Sequence, residues 1–187
     1  MRRRLSSLAD EEFRRLFLDF EYTAYRLEAL QHYDVPYERE AFERFLAGET
    51  TGAMPGLERW TGGAVANAVA AGKRLHRVHV VEEPLSDYVR FECAWAYAHT
   101  SRAGEEIRIL PVARGEWPGT LPRHDYWLFD SRHLVTMHYG PAGDFRHAEI
   151  VDDPADVVRA NYWRDHAVTT SVPYPEFAAR YDYFQSS

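Results

Sequence analysis

RLHRVHVVEEPLSDYVRFECAWAYAHTSRAGEEIRILPV, residues 74–112, decides the fold, because it reads as strand, helix and strand in succession. LHRVHVVEE is a β-branched run closed by Pro84, and EIRILPV is a second such run. The segment between them starts at Pro84 or Ser86, spaces its apolar residues at helical intervals and stops at Gly104. Two strands joined by a helix of this length form a parallel βαβ pair with a right-handed crossover. An α/β domain is therefore expected.

Downstream, DYWLFD (125–130), HLVTMHYG (133–140) and FRHAEIVD (145–152) read as three further strands with links short enough to make them antiparallel neighbours. Asp153 and Pro154 then open a helix carrying Val157, Val158, Tyr162 and Trp163, which VPYPEF interrupts. Upstream, Phe13, Leu16, Phe17, Phe20, Ala24, Leu27 and Gln31 fall on one helical stripe, so residues 10–33 read as a single amphipathic helix with Asp10 as N-cap. A second helix after Pro36 carries Phe42, Phe45 and Leu46 and ends at Gly48. GETTGAMPG (48–56) reads as a loop, and a third helix from Leu57 to Ala71 is weakened by Gly62 and Gly63. The expected architecture is one α/β domain with a mixed sheet of about five strands flanked by helices. An N-terminal helical arm (1–55) precedes the core (56–172), and an aromatic tail (173–187) follows it.

A chain of 187 residues with 45% hydrophobic content can bury a sizeable core. Its 22 basic and 29 acidic residues give a formal charge of −7, which disfavours direct binding to nucleic acid or to an anionic membrane. Lys73 is the only lysine, and a single cysteine, Cys93, excludes an internal disulfide and any multi-cysteine metal site. MRRRLSS lacks the apolar run of a signal peptide and no segment is long and uncharged enough to span a bilayer, so the cytoplasm is the expected compartment.

HDYWLFDSRHLVTMHYG (124–140) gathers His124, Asp125, Asp130, His133 and His138. Strand alternation sets Asp125 and Asp130 on opposite faces and parts His133 from His138, so no metal site is assigned. His76 and His79 diverge for the same reason. HExxH, GxSxG, GxGxxG and the phosphate-cradling GxxxxGK[ST] are all absent. Cys93, in an apolar helix, reads as a small core residue.

The helix from Leu85 to His99 is more informative. Leu85, Val89, Glu92 and Ala96 share one stripe with Tyr88 and Trp95 beside it, which places Glu92 in an apolar face. Arg77 and Arg108 interrupt the two apolar strands. Either these groups form a buried Glu–Arg network or they line a polar pocket near the strand ends, where α/β sheets accept ligands. Asp125, Trp127 and Asp130 could share its rim, with Arg90 beside it, while Glu105 and Glu106 read as solvated turn residues. Candidate ligand-binding residues are thus Arg77, Tyr88, Arg90, Glu92, Trp95, Arg108, Asp125, Trp127 and Asp130. No catalytic residue and no cofactor is assigned.

PLSDYVRFE, AGEEIRIL and DYWLFD resemble an uncharacterised domain-of-unknown-function family of actinobacteria, over Phe13 to about Val172. That resemblance implies a genomic neighbourhood of helix-turn-helix (WhiJ-like) regulators and BldB-like small companion proteins of Streptomyces developmental type, and with it a regulatory setting. The element order is also similar to one half of the phospholipase D fold, whose signature is His, any residue, Lys, four residues, Asp. None of the nine histidines is followed by lysine two positions on. The expected function is a non-catalytic cytoplasmic module that binds a small ligand, a helix-turn-helix regulator or a small companion protein. The alternative is a hydrolase or phosphodiesterase using Glu92, Asp125 or Asp130 as acid and base, with Arg77, Arg90 or Arg108 gripping an anion. A third possibility makes the helical arm a dimer or partner surface.

Overall fold

A computed structural model describes residues 2–52, 54–181 and 184. Eight strands form one mixed sheet: β1 (Arg2–Leu5), β2 (Thr23–Glu28), β3 (Arg74–Glu83), β4 (Glu106–Ala113), β5 (Tyr126–Phe129), β6 (His133–Tyr139), β7 (Phe145–Val151) and β8 (Val172–Pro173), in the order β1-β7-β6-β5-β2-β3-β4-β8. β2, β3 and β4 are parallel, whereas every other pairing is antiparallel. The β3–helix–β4 unit and the three antiparallel strands after it stand where the sequence places them.

The helices are α1 (Glu11–Asp19), α2 (Arg39–Leu46), α3 (residues 55–70), α4 (residues 87–102), α5 (Pro154–Thr170) and α6 (Tyr174–Ala178). α3 and α4 each carry a π-helical middle, Trp60–Val65 and Glu92–Tyr97. Ser86 caps α4 by accepting from the Val89 N–H, and Asp153 caps α5 through the Ala155 and Asp156 N–H groups.

The sheet has eight strands rather than about five, and β1, β2 and β8 account for the difference. The single helix read over residues 10–33 is in fact two elements. Asp10 does cap α1, but the helix stops at Asp19 and TAYRLE becomes β2, hydrogen-bonded to β3 on one side and β5 on the other. Ala24 and Leu27 are both fully buried, although on a strand they point to opposite faces. A central strand covered on both faces buries every position, so its apolar residues imitate a helical stripe. Residues 2–5 and 23–28, read as part of a helical arm, lie within the sheet. Of the aromatic tail, Val172–Pro173 pairs with β4 and Phe177 is buried; Asp182, Tyr183 and residues 185–187 lie outside the described residues.

One face of the sheet carries α1 to α4. There α1 packs Phe13 and Phe17 with Leu75, Trp127 and Phe129, and α4 packs Phe91 and Trp95 with Phe42 and Phe45 of α2. The other face buries Leu27, Val78, Val80, Tyr126 and Leu128 beneath α5. Among the described residues no helix is long and apolar enough to cross a membrane.

Candidate functional site

Between the two apolar clusters on the helix-covered face runs a polar seam. Parallel register sets Arg26 beside Arg77 and Glu28 beside His79, so β2 and β3 present two arginines, a carboxylate and an imidazole to the underside of α4. From α4 come Glu92 and Tyr97, from the chain before β4 Glu105, from the chain before β5 Asp125, and from the loop after β2 Tyr33. Arg77 Nη1 lies 3.2 Å from Glu28 Oε1, and its Nε donates to Glu105 Oε1 at 2.7 Å. Arg26 Nη2 reaches Asp125 Oδ2 and Glu28 Oε1, each at 3.2 Å, and its guanidinium lies over the Trp127 and Tyr33 rings. Asp125 also accepts from the Tyr33 hydroxyl and the Ala29 N–H, both at 2.8 Å. Trp60 Nε1 donates to the second Glu105 oxygen at 2.9 Å.

The Tyr97 hydroxyl is the hub. It lies 2.9 Å from Glu28 Oε2, 3.0 Å from Glu92 Oε2 and 2.8 Å from His79 Nδ1. His79 Nε2 faces the Leu30 carbonyl at 2.7 Å, which fixes the ring proton there and makes Nδ1 an acceptor. One phenolic proton cannot serve three acceptors; a proton kept on Glu92 donates to the phenolic oxygen and leaves the phenolic proton to Glu28 or to His79.

Electrostatics agrees with that count. Burial drives Glu92 well above the usual carboxylate range, and Glu28 and Glu38 push it the same way. Burial also opposes ionisation of Glu28, but Arg26 and Arg77 outweigh it and hold that carboxyl at about 2. Asp125 is raised by burial, against the pull of Arg26. Burial lowers His79 and keeps it neutral.

The seam unites three of the residues singled out in the sequence, Arg77, Glu92 and Asp125, with Trp127 beneath Arg26. Their pairing differs from expectation: Arg77 takes Glu28 and Glu105, and Glu92 takes Tyr97. Arg108 belongs elsewhere, because β4 register sets it opposite Val78, on the α5 face, where it binds Ser171. Glu105 is no solvated turn residue, being 2% exposed. Asp130 closes a turn by accepting the N–H groups of Glu21, Tyr22 and Thr23. Tyr88 donates to Glu38 within an aromatic group, Trp95 meets Phe45 edge-on and Phe91 at a tilt, and Arg90 lies beside Asp87. Sequence reading missed Arg26 and Glu28; their signal is the alternation of charges in TAYRLE, which the helical reading conceals.

On the opposite face, a cleft of about 390 Å³ lies between β6 and α5, lined by Arg2, His124, Thr136, His138, Arg159 and Trp163 among others. His133 and His138 do not share a site, as alternation requires. His138 instead meets His147 and Glu149 of β7, a group with ligand atoms all within 4.8 Å of one another.

Residues 11–179 match the model of a family described as a domain of unknown function, DUF6879. No curated protein matches the sequence. TrmBL2, described as an archaeal chromatin protein with a novel mode of DNA binding, superposes with a TM-score of 0.51 at 7% identity, over 92% of this chain and 52% of that one. This chain thus spans about half of TrmBL2. NucT from Helicobacter pylori gives 0.48 at 8% identity, over 92% of this chain and 97% of that one. Phosphatidylserine synthase from Haemophilus influenzae Rd KW20 gives 0.49 at 11% identity, over 96% and 42%. At such identities the likeness concerns the fold alone.

Proposed function

The chain belongs to the DUF6879 family, a domain of unknown function, and from that premise we propose that it is a non-catalytic binding module serving a transcriptional regulator. The observation that carries this reading is the closure of the polar seam. A general acid or base must reach a proton on its substrate, yet Glu28, Asp125 and Glu105 are each directed at an arginine and at a further donor, and are at most 2% exposed. That no histidine is followed by lysine two positions on, as the phospholipase D signature requires, favours the same reading.

The module is assigned a helix-turn-helix regulator or a small companion protein of Streptomyces developmental type as its partner, in an actinobacterial cytoplasm. Its acidic balance of −7 leaves contact with DNA to that partner. A buried free thiol at Cys93 suits a reducing compartment. A small ligand would enter the cleft beside β6 and α5 rather than the seam.

One observation favours the hydrolase alternative: Glu28 and Glu92, joined through Tyr97, have proton affinities driven far apart, the pattern of an acid and base pair. Co-purification with candidate regulators, a thermal-shift panel of metabolites, and assays on phosphodiester and ester substrates separate the two readings. A regulator retained or a melting point raised, without turnover, is expected. Hydrolysis that disappears in a folded Glu92→Gln variant would transfer the assignment to the enzyme.

A further inference from the structure

We infer that His138, His147 and Glu149 form a binding site for a borderline divalent transition-metal ion, for which zinc is the reference. The inference is independent of the proposed partner and of the polar seam, and rests on β6 and β7 alone.

Antiparallel register places His138 opposite His147 and Thr136 opposite Glu149. The period of two then puts both imidazoles and the carboxylate on one face. His138 Nε2 lies 3.6 Å from Glu149 Oε2, and His147 Nε2 lies 3.8 Å from Glu149 Oε1. Zinc with bonds of about 2.0 to 2.2 Å in tetrahedral geometry separates its ligand atoms by roughly 3.4 Å; the two contacts reach different oxygens of Glu149, and with one atom from each residue the group lies within 4.8 Å, so side-chain rotation must close it by up to about 1.4 Å. The two rings stack face to face at 4.3 Å with an interplanar angle of 6°. Because an imidazole ligates in its ring plane, each ring must rotate out of this stack, by roughly 50°, to aim its nitrogen at a shared ion.

The present contacts leave these groups poorly matched to one another. Separations of 3.6 and 3.8 Å exceed a hydrogen bond. His147 Nδ1, buried with no hydrogen-bond partner, is the nitrogen that would carry the ring proton with Nε2 as the ligand. Glu149 keeps a long contact to Arg2 at 3.4 Å, and His138 a weak one to Thr136 at 3.3 Å. A cation between the three would satisfy two imidazole lone pairs and a carboxylate at once.

Local structure supports the placement. A register irregularity follows at His138/Tyr139, where Tyr139 pairs with Phe145 and Arg146 is passed over. Such bulges re-aim side chains beside functional sites. The side chains are 37%, 18% and 22% exposed, open enough for an ion to enter. His138 also borders the 390 Å³ cleft, so a fourth coordination position is available to water or to a ligand there. Two nitrogens and one oxygen suit zinc, nickel or cobalt rather than magnesium or calcium, which take oxygen ligands.

The test titrates zinc into the chelator-stripped full chain by calorimetry and by competition with a chromophoric chelator. One equivalent should bind, magnesium should not displace it, and melting temperature should rise with zinc. His147→Ala and Glu149→Gln should each weaken binding at least tenfold, whereas His133→Ala, at an exposed histidine outside the group, should leave it unchanged. Circular dichroism of each variant establishes that it is folded, and the near-isosteric Glu149→Gln keeps the test decisive should His147→Ala unfold. Absence of binding, equal affinity in folded Glu149→Gln, or an equal loss in His133→Ala would overturn the assignment.

Discussion

At Glu92 a carboxylic acid is held neutral by its surroundings, and the consequence can be measured. A folded-state proton affinity above the ordinary value of 4.5 means that the native chain keeps a proton the unfolded chain releases. The protonated acid's contribution is therefore fully present below pH 4.5 and is lost as pH rises toward the folded value. Glu28 has the opposite sign: held at about 2, it stabilises the fold above pH 4.5 and gives up that contribution as acid approaches pH 2. Glu92→Gln keeps a donor toward the Tyr97 hydroxyl oxygen and removes the ionisation. Denaturant unfolding across pH should find the variant close to wild type near pH 4 and increasingly more stable than wild type up to pH 8, by about 1–3 kcal/mol. Below pH 4 both should weaken together as Glu28 titrates. A difference between the two proteins that does not change with pH would mean that Glu92 is ionised in the fold.

Among the elements, the junction of α1, β2 and the β5–β6 turn depends on one side chain. Asp130 sits at φ 49°, in the left-handed region, and accepts three consecutive backbone N–H groups, from Glu21, Tyr22 and Thr23, at 2.7 to 2.9 Å. Those donors end the helix and start the strand. Asp130→Ala should cost about 2–4 kcal/mol in urea unfolding, from stranded N–H groups and a strained backbone together, whereas Asp130→Asn, which tolerates this φ, should cost less. Equal losses would assign the whole effect to charge. The same junction shows why sequence reading was uneven. β3 and β4 were legible as short β-branched apolar runs, the first closed by Pro84 and the second opening after Gly104, and α4 as a capped amphipathic helix between them. β2 was not, because Ala24 and Leu27 are buried on opposite faces and their spacing mimics one helical face. Missing β2 concealed Arg26 and Glu28, and with them the true partner of Arg77. Glu92 was legible as an inward carboxyl, since a helical stripe needs no partner strand to define it. His147 and Glu149 were not legible beside His138, because only cross-strand register brings them together.

For the whole molecule, β2 at the centre of the sheet makes the N-terminal segment part of the folding unit. Its ladder joins the parallel strands β3 and β4 to the antiparallel meander β5–β6–β7, and β1 extends that meander at its far edge. Removing residues 1–28 would take Tyr25 and Leu27 from the core and Glu28 from Arg77, and would leave β3 and β5 with unpaired edges. Large apolar side chains contribute about 1.5–3 kcal/mol each on burial, and an arginine left buried without one of its carboxylates costs about 3–5 kcal/mol more. Together with Phe13, Phe20 and the lost ladder bonds, this exceeds a typical domain stability of about 5–15 kcal/mol. The truncated chain should therefore show no cooperative thermal transition, should bind a hydrophobic dye and should scatter as an expanded or aggregated species. A compact, cooperatively melting fragment would instead mean that the first 28 residues dock on a core complete without them, and would restore the arm as a detachable partner surface.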